Sequence, residues 1–526
     1  MVGRGNPDAE STYESDGQLN PADTQMEDVG KKVTTASIWM LMFKLTDRSL
    51  GIISTIILAR LLIPGDFGLV AMAMAVVAIL EIFSNFNFDT FLIRQPGVDR
   101  RLYDTAWTFN VIIGVSIAAI LVAISPLMAD FYREPRLRDV ILALALAALI
   151  QGFENIGIVA FRKDMQFHKE FRFLLCKKLT GFLVTVPLAF ILRSHWALVA
   201  GIISSRLAGM TASYLTQPYR PRFSLAAPSD LFHFSKWLLF NNISNMGRDR
   251  SSDFIVGRIA GPQALGLYSI ALEIVTLPTT ELVAPVNRAA YPAYSRLLGD
   301  MSKLRYTYLQ VVSMVGLVAL PAALGIGLTA PLFVPLVLGP KWLDAVGLMQ
   351  ILALGGAIGA LQSSSWSVFL ALGKARTVTY LGLGSLVLML PMLVFFTKQR
   401  GAQGAALAQL TIMCLLVVVT YWLLLRDLEL GLGALLARFW RPLIGMAAMA
   451  AVVIGLEGQW QIAEGVVAEL MRLALVAGGG ALTYAAAVLL AWWASGRPEG
   501  GEKLILAKLW PMVRARLPLK RAYSKP

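Results

Sequence analysis

The chain has 526 residues, of which 56% are hydrophobic and only 15% charged. Soluble domains average about 45–50% apolar and about 25% charged, and here the apolar residues come in runs long enough to span a bilayer. That excludes a cytosolic enzyme, a secreted factor and a DNA-binding domain, and the net charge of +14 has to be explained by where the basic residues sit.

Residues 1–30 hold seven acids (Asp8, Glu10, Glu14, Asp16, Asp23, Glu27, Asp28) against one base, Arg4. Such a polar, Gly/Pro-containing stretch reads as a disordered tail, assigned to 1–32. A signal peptide would begin basic and carry a short apolar core. Here the first apolar run starts near Val33 and is too long, so it is expected to stay as a membrane helix. Fourteen spans are expected, at about 36–60, 67–93, 106–129, 138–161, 173–192, 196–216, 234–257, 265–287, 306–330, 344–372, 377–397, 402–425, 437–456 and 469–494. The connections are short, and a basic tail follows from 495 to 526.

Lys and Arg set the orientation. With the N-terminus cytoplasmic, 32 of them fall on inside segments and 9 on outside ones. Both ends are therefore expected inside. The positive charge is mostly a topology signal plus attraction to anionic lipid, with the basic tail along the membrane surface. No nucleic-acid partner is implied.

The first six spans resemble the next six. Arg60-Leu-Leu-Ile-Pro64-Gly-Asp-Phe-Gly68-Leu recurs as Arg258-Ile-Ala-Gly-Pro262-Gln-Ala-Leu-Gly266-Leu, at an offset of 198. Ser125-Pro126-Leu127 after span 3 matches Ala330-Pro331-Leu332 after span 9, at an offset of 205, and Glu154 stands where Gln362 stands, at 208. Six is even, so the two copies share one topology and are expected to be related by a pseudo-twofold along the membrane normal. The expected architecture is all-α and polytopic: two six-helix lobes, 33–216 and 234–425, joined by a cytoplasmic linker, 217–233, with two extra helices in 426–494.

A charge inside a span is costly and usually faces a bundle interior or a water-filled cavity. Span 1 carries Lys44, Asp47 and Arg48, whose spacing puts them on one face. Span 7 carries Asn241, Asn245, Arg248, Asp249, Arg250, Ser252 and Asp253. These are the first helices of the two repeats, so both clusters are expected to line one central cavity. Their basic members suit a phosphate or pyrophosphate, which Arg grips bidentately. Their acidic members either keep the site hydrated, balance Arg when the site is empty, or take up a coupling cation. The residue types leave all three open. Asp47, Asp249, Asp253 and Glu273 are the candidates for H+ or Na+ coupling. Glu81, Asp89, Arg206, Glu281 and Arg472 are read instead as charges that neutralise one another between helices.

Cys176 and Cys414 lie in or beside apolar runs with no CxxC, and His168, His195 and His233 are far apart in polar connections. No metal site and no cofactor are expected.

At this point the residues suggest a family. The segment from Ala36 to Arg94, with Ile57-Leu-Ala-Arg60-Leu-Leu-Ile-Pro64-Gly-Asp66-Phe67-Gly68-Leu and Asn87-Phe-Asp89-Thr-Phe-Leu-Ile-Arg94, resembles the opening of bacterial polysaccharide transporters. So does the repeated Arg258…Pro262…Leu265-Gly266-Leu-Tyr268. These are the Wzx-like O-antigen and exopolysaccharide flippases of the multidrug/oligosaccharidyl-lipid/polysaccharide (MOP) exporter superfamily. The resemblance covers about residues 33–425. It implies an inner-membrane transporter, not an enzyme. Such a protein carries undecaprenyl-pyrophosphate-linked oligosaccharide from the cytoplasmic to the periplasmic leaflet by alternating access, for exopolysaccharide, capsule or lipopolysaccharide synthesis, next to polymerase and export machinery. Related peptidoglycan-precursor flippases place Arg and Asp on the first helix inside a cationic cavity, and Lys44, Asp47 and Arg48 are the similar positions here.

Two other readings compete. A multidrug exporter, of this superfamily or of the major-facilitator type, has similar spans. However, Gly97-Val-Asp99-Arg100-Arg101 lacks the facilitator loop's spacing and second Gly, and a cationic cluster does not suit a cationic drug. A membrane glycosyltransferase or polymerase would need catalytic acids at a membrane face, and no DxD, HxH or long loop occurs. No P-loop GxxxxGK[ST] occurs either.

Overall fold

The computed structural model describes residues 21–82, 88–94, 99–226, 228–459, 465–498 and 500–503. Within these, the side chains of 21–34, 36–37, 94, 228–246, 248–249 and 459 are outside the described set. Among the described residues there is no strand. In lipid a helix satisfies its own backbone, and the apolar runs fold accordingly. The helices are α1 (Pro21–Leu61), α2 (Pro64–Glu81), α3 (Phe88–Arg94), α4 (Arg100–Tyr132), α5 (Arg136–Gly152), α6 (Val159–Lys163), α7 (Phe167–Leu192) and α8 (Trp196–Thr216). They are followed by α9 (Pro228–Pro278), α10 (Ala284–Arg296), α11 (Met301–Phe333), α12 (Ala345–Ala371), α13 (Ala375–Asp427), α14 (Leu432–Leu436), α15 (Trp440–Gln459) and α16 (Val466–Ala494).

Among the described residues ten helices are long and apolar enough to cross a membrane, eleven if α5 and α6 form one bent span. The expected count of fourteen is not reproduced, for three physical reasons. First, α13 runs 53 residues, about 80 Å at 1.5 Å per residue. That is more than twice a bilayer's roughly 30 Å core. It breaks at Arg400 and Gly401 (φ 56°), between two expected spans. Likewise α9 breaks at Gly261 (φ 84°, ψ 179°), a positive-φ conformation open to glycine, just ahead of Pro262. Second, the fourth span is not straight: α5 and the segment from Ile156 to Lys163 meet at 61°. Third, α1 carries Lys44, Asp47 and Arg48 in its middle. It also starts at Pro21 rather than near 36, taking in residues expected in the tail. The two Ser/Ala-Pro-Leu segments lie inside helices, with Pro126 in α4 and Pro331 in α11, rather than after them.

Packing repeats with the sequence. In the first part α4 lies on α5, α5 on α8, and α7 on α1 and α8; in the second α11 lies on α12, and α13 on α12 and α9. The two parts meet where the repeated motifs cross. A Cβ on Gly68 would lie 1.7 Å from the Pro262 carbonyl oxygen, and a Cβ on Gly266 1.8 Å from that of Pro64. Each glycine thus sits in the other repeat's turn, and only a residue without a side chain permits that approach. Pro64 starts α2 as the first helical residue, where its missing N–H is not needed.

Around this crossing the halves are tied by polar and aromatic contacts. The fully buried Trp342 donates its indole N–H to the Ala59 carbonyl at 2.9 Å and meets Phe67 edge-on at 5.3 Å. Arg60 Nε donates to the Val337 carbonyl at 3.0 Å, and Arg258 lies over the Phe131 ring. Asp66 accepts the backbone N–H of His195 at 3.1 Å and of Ile63 at 3.3 Å. His195 is therefore a buried packing residue rather than an open loop one.

The segment from Gln217 to Ala226 leads from the first part to the second and is strapped to α4. Asp104 accepts from the Tyr219 hydroxyl and, at 2.9 Å, from the Arg222 backbone N–H. Ser224 N donates to Thr108 Oγ1 at 3.0 Å, and Asn155 Nδ2 to the Tyr219 carbonyl at 2.8 Å. Burial, and then the Asp104 hydrogen bond, hold the Tyr219 phenol well above its ordinary range.

The last two helices pack on each other and on α11. Tyr484 donates to the Leu317 carbonyl at 2.8 Å. Arg441 pairs with Glu502 at 3.1 Å, both side chains almost fully buried.

Gly68→Ala and Gly266→Ala should each destabilise the purified protein by the roughly 1–3 kcal/mol typical of overpacking. The fall in melting temperature is the readout. Gly65→Ala, whose added methyl meets nothing nearer than 3.9 Å, should leave it unchanged. Asp104→Ala removes the acceptor shared by Tyr219 and Arg222. Trypsin is expected to cut after Arg222 in that variant and to spare the wild type under the same digestion.

Candidate functional site

Away from the crossing, charges gather between the halves. Lys44 and Arg48 on α1 both face Glu281, Lys44 at 3.0 Å and Arg48 Nε at 4.0 Å. Glu281 sits on a π-helical turn, Thr279–Val283, between α9 and α10. Asp47 takes Lys178 of α7 at 2.9 Å. Glu273 on α9 feels the charges of Arg48 and Lys178. The group thus holds Lys44, Arg48 and Lys178 against Asp47, Glu273 and Glu281. Its five directly paired side chains are 32–44% exposed, so water, and a ligand arriving through it, can reach them.

The i, i+3, i+4 face expected on span 1 therefore forms and carries a real charge cluster. The partners expected from span 7 are placed differently. Arg250 pairs with Asp253 on its own helix at 3.1 Å. No described contact joins that pair to Lys44, Asp47 or Arg48. Asn241, Asn245, Arg248 and Asp249 lie on α9 with side chains outside the described residues. Asp253 is buried beside Ser252, whose hydroxyl accepts from Tyr268 at 3.4 Å.

Two members of the group were legible only in part. Glu281 reads from the sequence as a charge that holds helices together, and it does pair, but across the halves. Lys178 reads as an inside topology charge. The expected span from 173 leaves it near the helix end, whereas the start of α7 at Phe167 puts Lys177 and Lys178 three turns inside.

A second polar region lies within the first part. A cavity of about 320 Å³ is lined by Glu81, Asp89, Asn110, Gln151, Glu154 and Arg162, among others. Its charges are paired: Glu81 with Arg206 at 3.2 Å, Glu154 with Lys177 at 2.8 Å, and Arg162 with Glu170 at 2.5 Å and Asp89 at 3.7 Å. The equivalent region of the second part uses neutral partners. Gln362 donates to Thr420 at 2.9 Å, and Asn287 bonds Ser363 and Ser364 at 2.7 and 2.9 Å.

The combination is suited to binding and movement. Lys44 and Arg48 share one partly exposed carboxylate between two packed halves, and cations so placed have the chemistry to take an anion. The two halves pack tightly at the glycine crossing, and the charge cluster lies between them away from it.

Comparison with known proteins agrees with this layout. Residues 57–347 match a family described as polysaccharide biosynthesis protein. The chain is similar to the lipopolysaccharide biosynthesis protein WzxC of Escherichia coli (strain K12), 24% identical over 400 residues, covering 75% of this chain and 81% of that one. It is similar to the teichuronic acid biosynthesis protein TuaB of Bacillus subtilis (strain 168), 27% identical over 415 residues, covering 77% and 84%. Among solved structures the lipid II flippase MurJ in an inward closed conformation superposes with a TM-score of 0.70 at 10% identity, covering 88% of this chain and 100% of that one. An inward-facing multidrug resistance MATE family transporter of the MOP superfamily gives 0.53 at 12% identity, covering 73% and 94%. At these identities the structural likeness is one of fold: a MurJ- and MATE-like transporter fold. The family match spans more than half of the chain, and the chain belongs to the polysaccharide biosynthesis protein family.

Proposed function

We propose that this protein is a flippase of a bacterial inner membrane. It moves undecaprenyl-pyrophosphate-linked oligosaccharide units from the cytoplasmic to the periplasmic leaflet for exopolysaccharide, capsule or O-antigen synthesis. The observation that carries the reading is the pair Lys44 and Arg48, held by a half-exposed acid between two repeated halves that close on one face. Family membership and the relatives in lipopolysaccharide and teichuronic acid biosynthesis support a sugar polymer as the end product.

The physics fits the task. A pyrophosphate-sugar head cannot enter hydrocarbon unpaired, because each unsatisfied polar group costs several kcal/mol, about 2–7 for an amide or hydroxyl. A hydrated space with Arg and Lys for the diphosphate, and amides and hydroxyls for the sugars, supplies partners, while the lipid tail stays in the bilayer. Rocking of the halves, with the glycine crossing parting as the opposite side closes, exposes the space alternately. The halves are the lobes 33–216 and 234–425, and both termini are cytoplasmic. Asn241, Asn245, Arg248, Asp249, Arg250 and Asp253 extend the site on α9. H+ or Na+ coupling through Asp47, Asp249, Asp253 or Glu273 belongs to the same proposal, and polymerase or export machinery is the expected neighbour.

Arg48→Ala and Arg248→Ala are each expected to abolish surface polysaccharide while membrane levels of the protein hold. Single lipid-linked repeats should then accumulate in the cytoplasmic leaflet, as in a deletion strain. Normal export by both variants would sink the anion-site reading. Repeats that reach the periplasmic leaflet unpolymerised in the deletion strain would point to a polymerase instead. For topology, alkaline phosphatase fused at either terminus should be inactive and a fluorescent protein bright. Transport by reconstituted protein that ignores imposed pH and Na+ gradients would remove the coupling.

A further inference from the structure

We infer that Glu281 is a built-in competitor of the substrate. Its carboxylate occupies the place of the lipid diphosphate on Lys44 and Arg48, and the arriving diphosphate displaces it and so releases one half from the other. The inference rests on the anion-site reading above and assigns a specificity and release role to a residue outside the expected site.

Several observations converge on Glu281. It comes from the second half, while Lys44, Arg48 and their neighbour Lys178 come from the first, so its ion pairs cross between the halves. Asp47, by contrast, pairs with Lys178 inside the first half and would move with it. The Glu281–Arg48 contact is long, at 4.0 Å, and Arg48 Nε is buried without a hydrogen-bond partner. A buried guanidinium N–H left unmatched is unfavourable, so the carboxylate fills this place incompletely. A diphosphate offers more acceptor oxygens over a longer span and can serve Lys44 and Arg48 together. Glu281 also sits on a π-helical turn, a departure from regular helix that is frequent at functional sites. Finally, the six-residue group of three cations and three acids is neutral as it stands. An incoming diphosphate therefore binds against an acid already in place, and lowering that competition raises its affinity.

The probe is farnesyl pyrophosphate, with farnesyl monophosphate as control, titrated against the full chain in nanodiscs. Glu281→Gln keeps the shape and removes the charge, and it is expected to bind farnesyl pyrophosphate about two- to fivefold more tightly than the wild type, the size of a half-exposed ion pair set free. Lys44→Gln should bind it more weakly. Structural damage would weaken binding in Glu281→Gln, so a gain is a readout that a merely structural role does not give. Glu281→Asp, one methylene shorter and unable to keep the 3.0 Å contact, should shift the affinity in the same direction, and it decides the matter if the glutamine variant is not recovered. Equal affinity in wild type and variant, with both still dependent on Lys44, overturns the competitor and leaves the anion site standing. Binding that is indifferent to Lys44 and Arg48 in every variant overturns both.

Discussion

Everything in this molecule hangs on two glycines that leave no room for a side chain. Gly68 lies against the Pro262 turn and Gly266 against the Pro64 turn, in reciprocal contacts of nearly the same length. That reciprocity is the three-dimensional form of the repeated Arg-Pro-Gly motif. It sets the two halves side by side at one end, and Trp342, Arg60 and Arg258 seal the edges of the same end. Interiors pack at crystal-like density and have few intermediate arrangements. A joint this tight is therefore either closed or parted, which is the behaviour that alternating exposure demands.

The distribution of charge follows from that joint. Contacts inside each half are numerous and permanent in character. The Glu154–Lys177, Glu81–Arg206 and Asp47–Lys178 pairs never leave the first half. The strap from Gln217 to Ala226 is fastened to α4 by Asp104 and Thr108, so it too travels with the first half. Between the halves, beyond the crossing, the ionic tie is the partly exposed pairing of Glu281, beside apolar contacts such as Tyr132 on Phe254. The halves also share one buried core, in which Leu69, Met72 and Val76 of α2 pack with Val256, Leu265 and Tyr268 of α9.

The sequence exposed the repeat because Arg, Pro and Gly do position-specific work: Pro64 and Pro262 start helices, and a Cβ at Gly68 or Gly266 would press on the facing turn. It exposed Lys44, Asp47 and Arg48 because charge in an apolar run is rare enough to stand out. Partnership was not legible. Which acid meets Arg48 depends on how two halves pack, and nothing in the neighbourhood of Glu281 in sequence announces it. Lys178 was hidden by a helix boundary: a start at 173 makes it an end residue, while the observed start at Phe167 carries it inside. Breaks were equally hard to see. Gly261 and Gly401 punctuate α9 and α13 as expected turns, but the bend after α5 rests on Asn155, which caps the next helix through Gly157 N at 2.9 Å. In the sequence that residue reads only as one more polar group.

The two halves share a backbone plan and differ in their electrostatics. In the first, the region around Glu154 is a cavity of about 320 Å³ lined by paired charges; in the second, Gln362, Thr420, Asn287 and Ser363–Ser365 build a network of neutral groups. Neutral hydrogen-bonding groups cost far less to bury than ions, so this network in the second half needs no charge pairing. Between the halves the division becomes functional. All three cations of the central group, Lys44, Arg48 and Lys178, belong to the first half, and the acids facing them from across the gap, Glu273 and Glu281, belong to the second. The halves therefore attract one another through the gap when it is empty. An anion that binds the first half's cations screens that attraction and hands the second half's acids back to water. If the central group takes the anion proposed for it, a duplicated fold with an unduplicated charge pattern turns the arrival of a negative headgroup into a change in how strongly the halves hold together.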